Sequence, residues 1–204
     1  MKKTLLAVVL ATVCGVASAN VKNTYDFIDV GYAGVKVDDA DIDVTFSGLV
    51  LEASKLINEN VFVTGQLAKV EDSGVDSGVT YDWDVNLLKV SIGYRFGITP
   101  ATDLYGQVGY ARQKDTINAA FSGQRISESE TGDGYLVKVG LKHSFGRFEG
   151  GLFAERSDFG GDYEASTFVG VDGRVKFTDR FHGVVSYAKD SDVAQYKIAA
   201  SYAF

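Results

Sequence analysis

From Asn86 to Phe96 the side chains change character at every step. Leu88, Val90, Ile92, Tyr94 and Phe96 share one face, and Leu87, Lys89, Ser91, Gly93 and Arg95 share the other. A period of two belongs to the β-strand, whose successive side chains point to opposite sides. The pattern returns at 135–144, where Tyr135, Val137, Val139 and Leu141 oppose Leu136, Lys138, Gly140 and Lys142. It returns again at the end, where Tyr196, Ile198, Ala200, Tyr202 and Phe204 oppose Gln195, Lys197, Ala199, Ser201 and Ala203. Extended along the chain, it predicts ten strands near 25–36, 43–54, 60–70, 82–97, 103–114, 133–144, 147–156, 163–177, 180–189 and 193–204. Turn signals separate them, and Pro100, the single proline, falls in one of those turns. Strands this frequent, with no helices between them, imply antiparallel hairpins.

Alternation alone does not say which face meets water. In a sandwich the apolar face turns inward; in a transmembrane barrel it turns outward to lipid and the polar face lines the interior. The aromatic residues favour the barrel. Tyr32, Tyr110, Tyr135, Tyr187 and Tyr196 sit near one end of their strands, and Phe96, Phe148, Phe177, Phe181 and Phe204 near the other. Two aromatic rings around an aliphatic belt match the two interfaces of a bilayer. The opposite face carries charges of both signs: Lys89, Arg95, Lys138, Lys142, Glu149, Glu155, Asp172 and Arg174. Inside a barrel these would pair across the lumen, because buried charges need partners. A sheet edge in hydrocarbon is prohibitive, so the last strand is expected to pair with the first. The expected fold is an all-β, closed, antiparallel up-and-down transmembrane β-barrel of ten strands, with eight as the alternative. The short connection from Asp190 to Asp192 is where a miscount could hide.

The N-terminus, residues 1–19, reads as a cleaved signal peptide. Lys2 and Lys3 precede an apolar stretch too short to span a bilayer, and Ala17-Ser18-Ala19 forms a small-residue cleavage site. Residues 20–204 are then the barrel domain. Cleavage removes Cys14, the only cysteine, and moves the formal charge from −7 to −9. A thiol nucleophile, a thiolate metal site and a disulfide are thereby excluded, and the acidity argues against nucleic acid as a partner.

Short turns at one end and longer connections at the other, the longest at 115–132, give the plan of an outer-membrane barrel with both termini on the periplasmic side. The Lys-Lys signal peptide, the alternating strands, Gly93-Tyr94-Arg95-Phe96 and the terminal Ala-Ser-Tyr-Ala-Phe resemble the small outer-membrane β-barrel proteins of Gram-negative bacteria, the OmpA/OmpX-like porin-family group. The resemblance implies an outer-membrane location. It also implies contact with outer-membrane lipid and lipopolysaccharide, and a role for Tyr202 and Phe204 in the signal read by the barrel-assembly machinery.

No catalytic constellation is legible. His182 and Ser186 share a strand face but stand roughly 13 Å apart, and the adjacent His143 and Ser144 point to opposite faces. Two histidines without a mature cysteine make a transition-metal site improbable, so neither metal nor cofactor is expected. Sixteen of the 27 acids fall in the connections at one end of the strands, beginning with Asp38, Asp39, Asp41 and Asp43, and read as solvated surface loops. The expected function is a non-enzymatic structural barrel displaying acidic loops to an external ligand not specified by the sequence. A narrow pore is the alternative and a barrel hydrolase the third choice.

Overall fold

The computed structural model describes residues 22–39, 42–76, 78–121, 124–161 and 163–204. The signal-peptide reading of residues 1–19 lies outside them. Ten strands follow one another: β1 (Phe27–Asp39), β2 (Ile42–Leu56), β3 (Val61–Asp76), β4 (Val79–Thr99), β5 (Thr102–Phe121), β6 (Gln124–Phe145), β7 (Phe148–Asp158), β8 (Ser166–Lys176), β9 (Phe181–Asp190) and β10 (Val193–Ala203). Each pairs antiparallel with its sequence neighbours, and β1 pairs with β10 to close the ring, from Phe27↔Ala203 to Val37↔Val193. The count is ten because Asp190-Ser191-Asp192 is a true tight turn, with Ser191 at φ 37°. Both ends of the described chain lie at one rim, together with the turns that follow β2, β4, β6 and β8.

The expected long connections are corrected by the structure. Segment 115–132 is not a loop: β5 and β6 remain paired up to Phe121↔Gln124. Likewise Asp38, Asp39, Asp43, Glu71, Asp72, Asp76, Asp115, Glu128, Glu130, Asp133 and Asp158 belong to strands, while Asp41 falls outside the described residues. The length is stored in strands of unequal reach. β7 to β10 have 10–11 residues, enough for one crossing, whereas β4, β5 and β6 have 21, 20 and 22. The surplus of β3 to β6 stands beyond the far rim as a projecting sheet. Among the described residues, only β7 and β8 are joined there by more than a short turn.

Facing follows the pleat. Ile92, Leu104, Val139, Leu152, Val171, Val185 and Ile198 stand exposed on the outer surface. Tyr32, Tyr110, Tyr135, Tyr187 and Tyr196 lie outside toward the far rim, and Phe96, Phe148, Phe177, Phe181 and Phe204 outside toward the terminal rim. An exposed apolar belt of this extent requires hydrocarbon around it.

The inner face holds an aromatic core absent from the sequence-level reading. Phe62, Tyr105 and Phe153 project inward from β3, β5 and β7, in one cluster with Tyr25 and Phe168. Each ring lies over a glycine directly opposite on the next strand: Phe62↔Gly93, Tyr105↔Gly140 and Phe153↔Gly170. A Cβ at Gly140 would stand 2.5 Å from the Tyr105 ring and 2.7 Å from the Leu152 carbonyl oxygen, which cannot yield. Gly140→Val is therefore expected to destabilise the barrel by about 1–3 kcal/mol through overpacking, read as a lower urea midpoint in lipid vesicles. Gly65→Ala, with nothing within 4 Å of the added carbon, is expected to leave the midpoint in place.

Candidate functional site: the barrel lumen

The lumen is built in three levels. The lowest is a floor made by the segment preceding β1. Residues 23–25 leave the β1 wall and reach β5, β6 and β7, halfway around the ring. The Asn23 amide donates to Asp103 at 3.0 Å and to the carbonyls of Ala101 and Lys142 at 3.2 and 3.3 Å. The Thr24 N–H donates to both oxygens of Glu149, at 3.0 and 3.1 Å, and its hydroxyl donates to the same carboxylate at 2.5 Å. Tyr25, 3% exposed, packs 4.9 Å from Phe62, with Arg95 and Lys142 over its ring. Carboxylates deep in the wall thus satisfy backbone donors that would otherwise be orphaned.

Above the floor runs a belt of charge. Glu155 receives Lys89 at 2.5 Å and Lys138 at 3.4 Å. Lys197 reaches Glu52 at 2.5 Å and Asp29 at 3.8 Å, and Arg174 bonds Asp29 at 3.4 Å and the Ser201 hydroxyl. Arg95 pairs with Asp103 at 3.2 Å, and Lys176 with Glu149 at 2.9 Å. Lys89 on β4 and Glu155 on β7 span the lumen rather than neighbouring strands. Such pairs are compensated by their partners, because removing one member leaves a desolvated charge.

Of the eight charges read from the sequence as an interior network, Lys89, Lys138 and Glu155 converge on one another. Arg95, Glu149 and Arg174 pair with Asp103, Lys176 and Asp29. Lys142 makes no ion pair within 4 Å among the described residues; it reaches the Thr24 carbonyl at 3.4 Å and the Tyr25 ring. Asp172 also lacks an ion pair there, and its carboxylate lies over Gly151, 2.5 Å from where a Cβ would stand. Asp29 and Glu52 were missed. Their signal was present, since both alternate with the outward residues Ile28, Val30, Leu51 and Ala53.

The upper level is the mouth of a cavity of about 460 Å³ that continues down among the belt charges Lys89, Lys138 and Glu155 to Tyr25. Trp83 and Phe46 meet edge to face at 5.0 Å. Phe159, from the β7–β8 loop, packs with Ala111, Leu136, Leu87 and Tyr163. The Tyr163 hydroxyl donates to Asp115 at 2.6 Å, and burial, followed by that bond, pushes it above the ordinary tyrosine range, so it remains a donor.

Of the two histidines, one bonds a hydroxyl and the other is buried. His143 Nδ1 shares a 2.7 Å hydrogen bond with the Thr102 hydroxyl on the outer face and packs against Phe145. His182 is buried beside Arg174, at 3.5 Å. At the seam, Tyr202 packs 5.5 Å from Phe181, and Lys55 lies 4.8 Å from the centre of the Phe204 ring.

Comparisons with known proteins agree with this architecture. No curated protein matches the chain. Among solved structures, the translocator domain of the autotransporter NalP from Neisseria meningitidis is 15% identical with a TM-score of 0.51, over 100% of this chain and 95% of that one. Ail, the attachment invasion locus protein of Yersinia pestis, is 18% identical with a TM-score of 0.48, over 89% of this chain and 99% of its own. The outer membrane protein OprG from Pseudomonas aeruginosa is 14% identical with a TM-score of 0.48, over 92% and 99%. At 15% identity the likeness to the NalP translocator domain concerns the fold alone. The family described as outer membrane protein beta-barrel domain matches residues 4–204. With a closed ten-stranded barrel, a lipid-facing belt and a family match over nearly its whole length, the chain belongs to the outer-membrane β-barrel domain family and resides in the outer membrane of a Gram-negative bacterium.

Proposed function

We propose that the protein is a structural scaffold that carries an interaction surface beyond the membrane. The observation that supports this reading is the unequal reach of the strands. About 9–11 residues cross a bilayer, yet β4, β5 and β6 run to 20–22. The surplus forms one continuous sheet whose register is fixed from within the membrane, so its surface is held without the ordering cost of a mobile loop. Both ends of the described chain lie at the opposite rim, the periplasmic one in this reading. The outward aromatic belts and the lipid-facing aliphatic band would contact outer-membrane lipid and lipopolysaccharide. Tyr202 and Phe204 would belong to the signal read by the barrel-assembly machinery, and residues 1–19 would be removed on export.

Trimming the projection tests the scaffold reading. Replacing residues 116–129 by an Asn-Gly turn rejoins Asp115 and Glu130, which already face each other in the ladder. The trimmed barrel is expected to retain its heat-dependent gel mobility while cells carrying it lose the surface adherence that the intact barrel confers. Equal adherence of the two would overturn the proposal. The cavity supports a second reading, a narrow pore, but the floor of residues 23–25 and the ion pairs above it oppose a continuous path. Planar bilayers holding the intact barrel at low density are expected to show no steady conductance; steady channels would favour the pore.

A further inference from the structure

We propose that the segment ahead of β1 is a latch, and that its withdrawal turns the closed lumen into a path for small ions. The reading goes beyond the scaffold and holds whatever the projecting sheet binds. A single cavity of about 460 Å³ descends from Trp83 near the far rim, past Glu52, Lys89 and Lys138, to Tyr25, Lys142 and Glu149. The ion pairs of the belt narrow it without dividing it. A second recess, of about 280 Å³, lies at the terminal rim between Lys22, Asn60, Arg95, Pro100 and Asp103. Residues 23–25 stand between the two. The Asn23 amide bonds Asp103 of the lower recess, and the Tyr25 ring of the upper cavity lies 5.1 Å from the Arg95 guanidinium of the lower. The segment is the partition.

It is fastened so that it can leave the wall intact. Among the described residues no backbone-to-backbone hydrogen bond ties residues 23–25 to a strand; the first runs from the Phe204 N–H to the Asp26 carbonyl, at 3.3 Å. The Asn23 side chain and the Thr24 N–H and hydroxyl hold instead to Asp103 and Glu149. Each of these carboxylates has a second partner in the wall, Arg95 at 3.2 Å and Lys176 at 2.9 Å. Withdrawal therefore strands neither as an unpaired buried charge, which would be the costly outcome. All ten ladders stay in place, since none includes a residue before Phe27. The Tyr25 ring, packed against Phe62, keeps the segment seated by its burial, and the open form is the minor one.

What passes is set by what lines the opened route. Its walls carry cations and carboxylates in nearly equal number, and side chains fill much of a ring of ten strands. The route therefore suits small ions of either sign and excludes larger solutes. Lys142 is the charge whose surroundings change most. Its ammonium meets the Thr24 carbonyl at 3.4 Å and lies 4.7 Å from the centre of the Tyr25 ring, and both leave with the segment. Its own carbonyl receives the Asn23 amide, which places it at the partition. A cation freed of both contacts then stands where the two spaces join, and it tilts the route toward anions.

Planar bilayers in a potassium chloride gradient test the latch, holding at low density either the intact barrel or a variant combining Asn23→Gly, Thr24→Gly and Tyr25→Gly. The intact barrel is expected to show rare, brief openings, and the triple variant to be open at least about tenfold more of the time at the same unit conductance. Lys142→Gln, added to the triple variant, is expected to move the reversal potential toward cation preference. Heat-dependent gel mobility identifies closed barrels in each sample. Gly140→Val, loosened in the wall, is expected to open no more often than the intact protein. If the triple variant does not fold, Thr24→Pro takes its place, removing the N–H and hydroxyl held by Glu149 while leaving Tyr25. Silence from a folded variant of the segment, or an intact barrel that never reaches that variant's conductance, would overturn the proposal. So would a reversal potential indifferent to Lys142, or equal conductance from Gly140→Val. Failure of both segment variants to fold would overturn it as well, because a latch requires a wall that stands alone.

Discussion

Replacing Glu155 by alanine is expected to cost about 3–5 kcal/mol of barrel stability, read as a lowered urea midpoint in lipid vesicles. Two ammonium groups depend on this carboxylate, Lys89 at 2.5 Å and Lys138 at 3.4 Å, and all three side chains are largely withdrawn from water. Water cannot replace the lost partner cheaply, because the Phe153 ring lies only 4.0 Å from the Lys138 nitrogen. Replacing the whole triad, with Lys89→Met, Lys138→Met and Glu155→Met together, is expected to recover most of the loss, since no charge is then left unpaired. A loss from the triple variant as large as from Glu155→Ala would mean that the ion pairs themselves, rather than the cost of stranding charge, hold the lumen together.

Arginine at Val139 is expected to cost about 2–4 kcal/mol, the penalty for a cation near the bilayer midplane. Val139 is 54% exposed on the outer surface, opposite Gly106 and Ala154, with no acidic residue paired to it. Its neighbour Lys138 points the other way, and Lys138→Gln is expected to cost far less, because Glu155 keeps Lys89. One step along the strand therefore separates a severe change from a mild one, and vesicle unfolding midpoints compare them directly. Similar midpoints for the two variants would contradict the assignment of faces.

The alternation that places Val139 and Lys138 on opposite faces is also what made ten strands and their order readable from sequence. It failed where its physical cause stops. Lipid on one side and lumen on the other impose a period of two; above the bilayer both faces of a sheet meet water. Residues 115–132 hold three serines, two threonines and two glutamates, and so read as a loop although every residue from Asp115 to Phe121 has a ladder partner. The aromatic core was hidden for another reason. Phe62, Tyr105 and Phe153 are tolerable inside only because Gly93, Gly140 and Gly170 lie opposite them, and cross-strand register is not written in any local pattern. The same holds for ion pairing: Lys89 and Glu155 are visible as inward charges, but their meeting across the lumen is a property of the closed ring.

The pairing of Phe27 with Ala203 has a consequence for how the molecule comes into being. These residues are 176 positions apart, so the ladder between the chain's extremities carries the largest conformational search of any in the sheet. Nine of the ten ladders can zip up hairpin by hairpin, each joining strands close at hand in the polypeptide. The tenth interface must wait for synthesis to finish, and until it forms the sheet has two raw margins that water tolerates and acyl chains do not. Joining β1 to β10 is therefore the step that removes both margins at once, and whatever escorts the nascent chain must shield them until then.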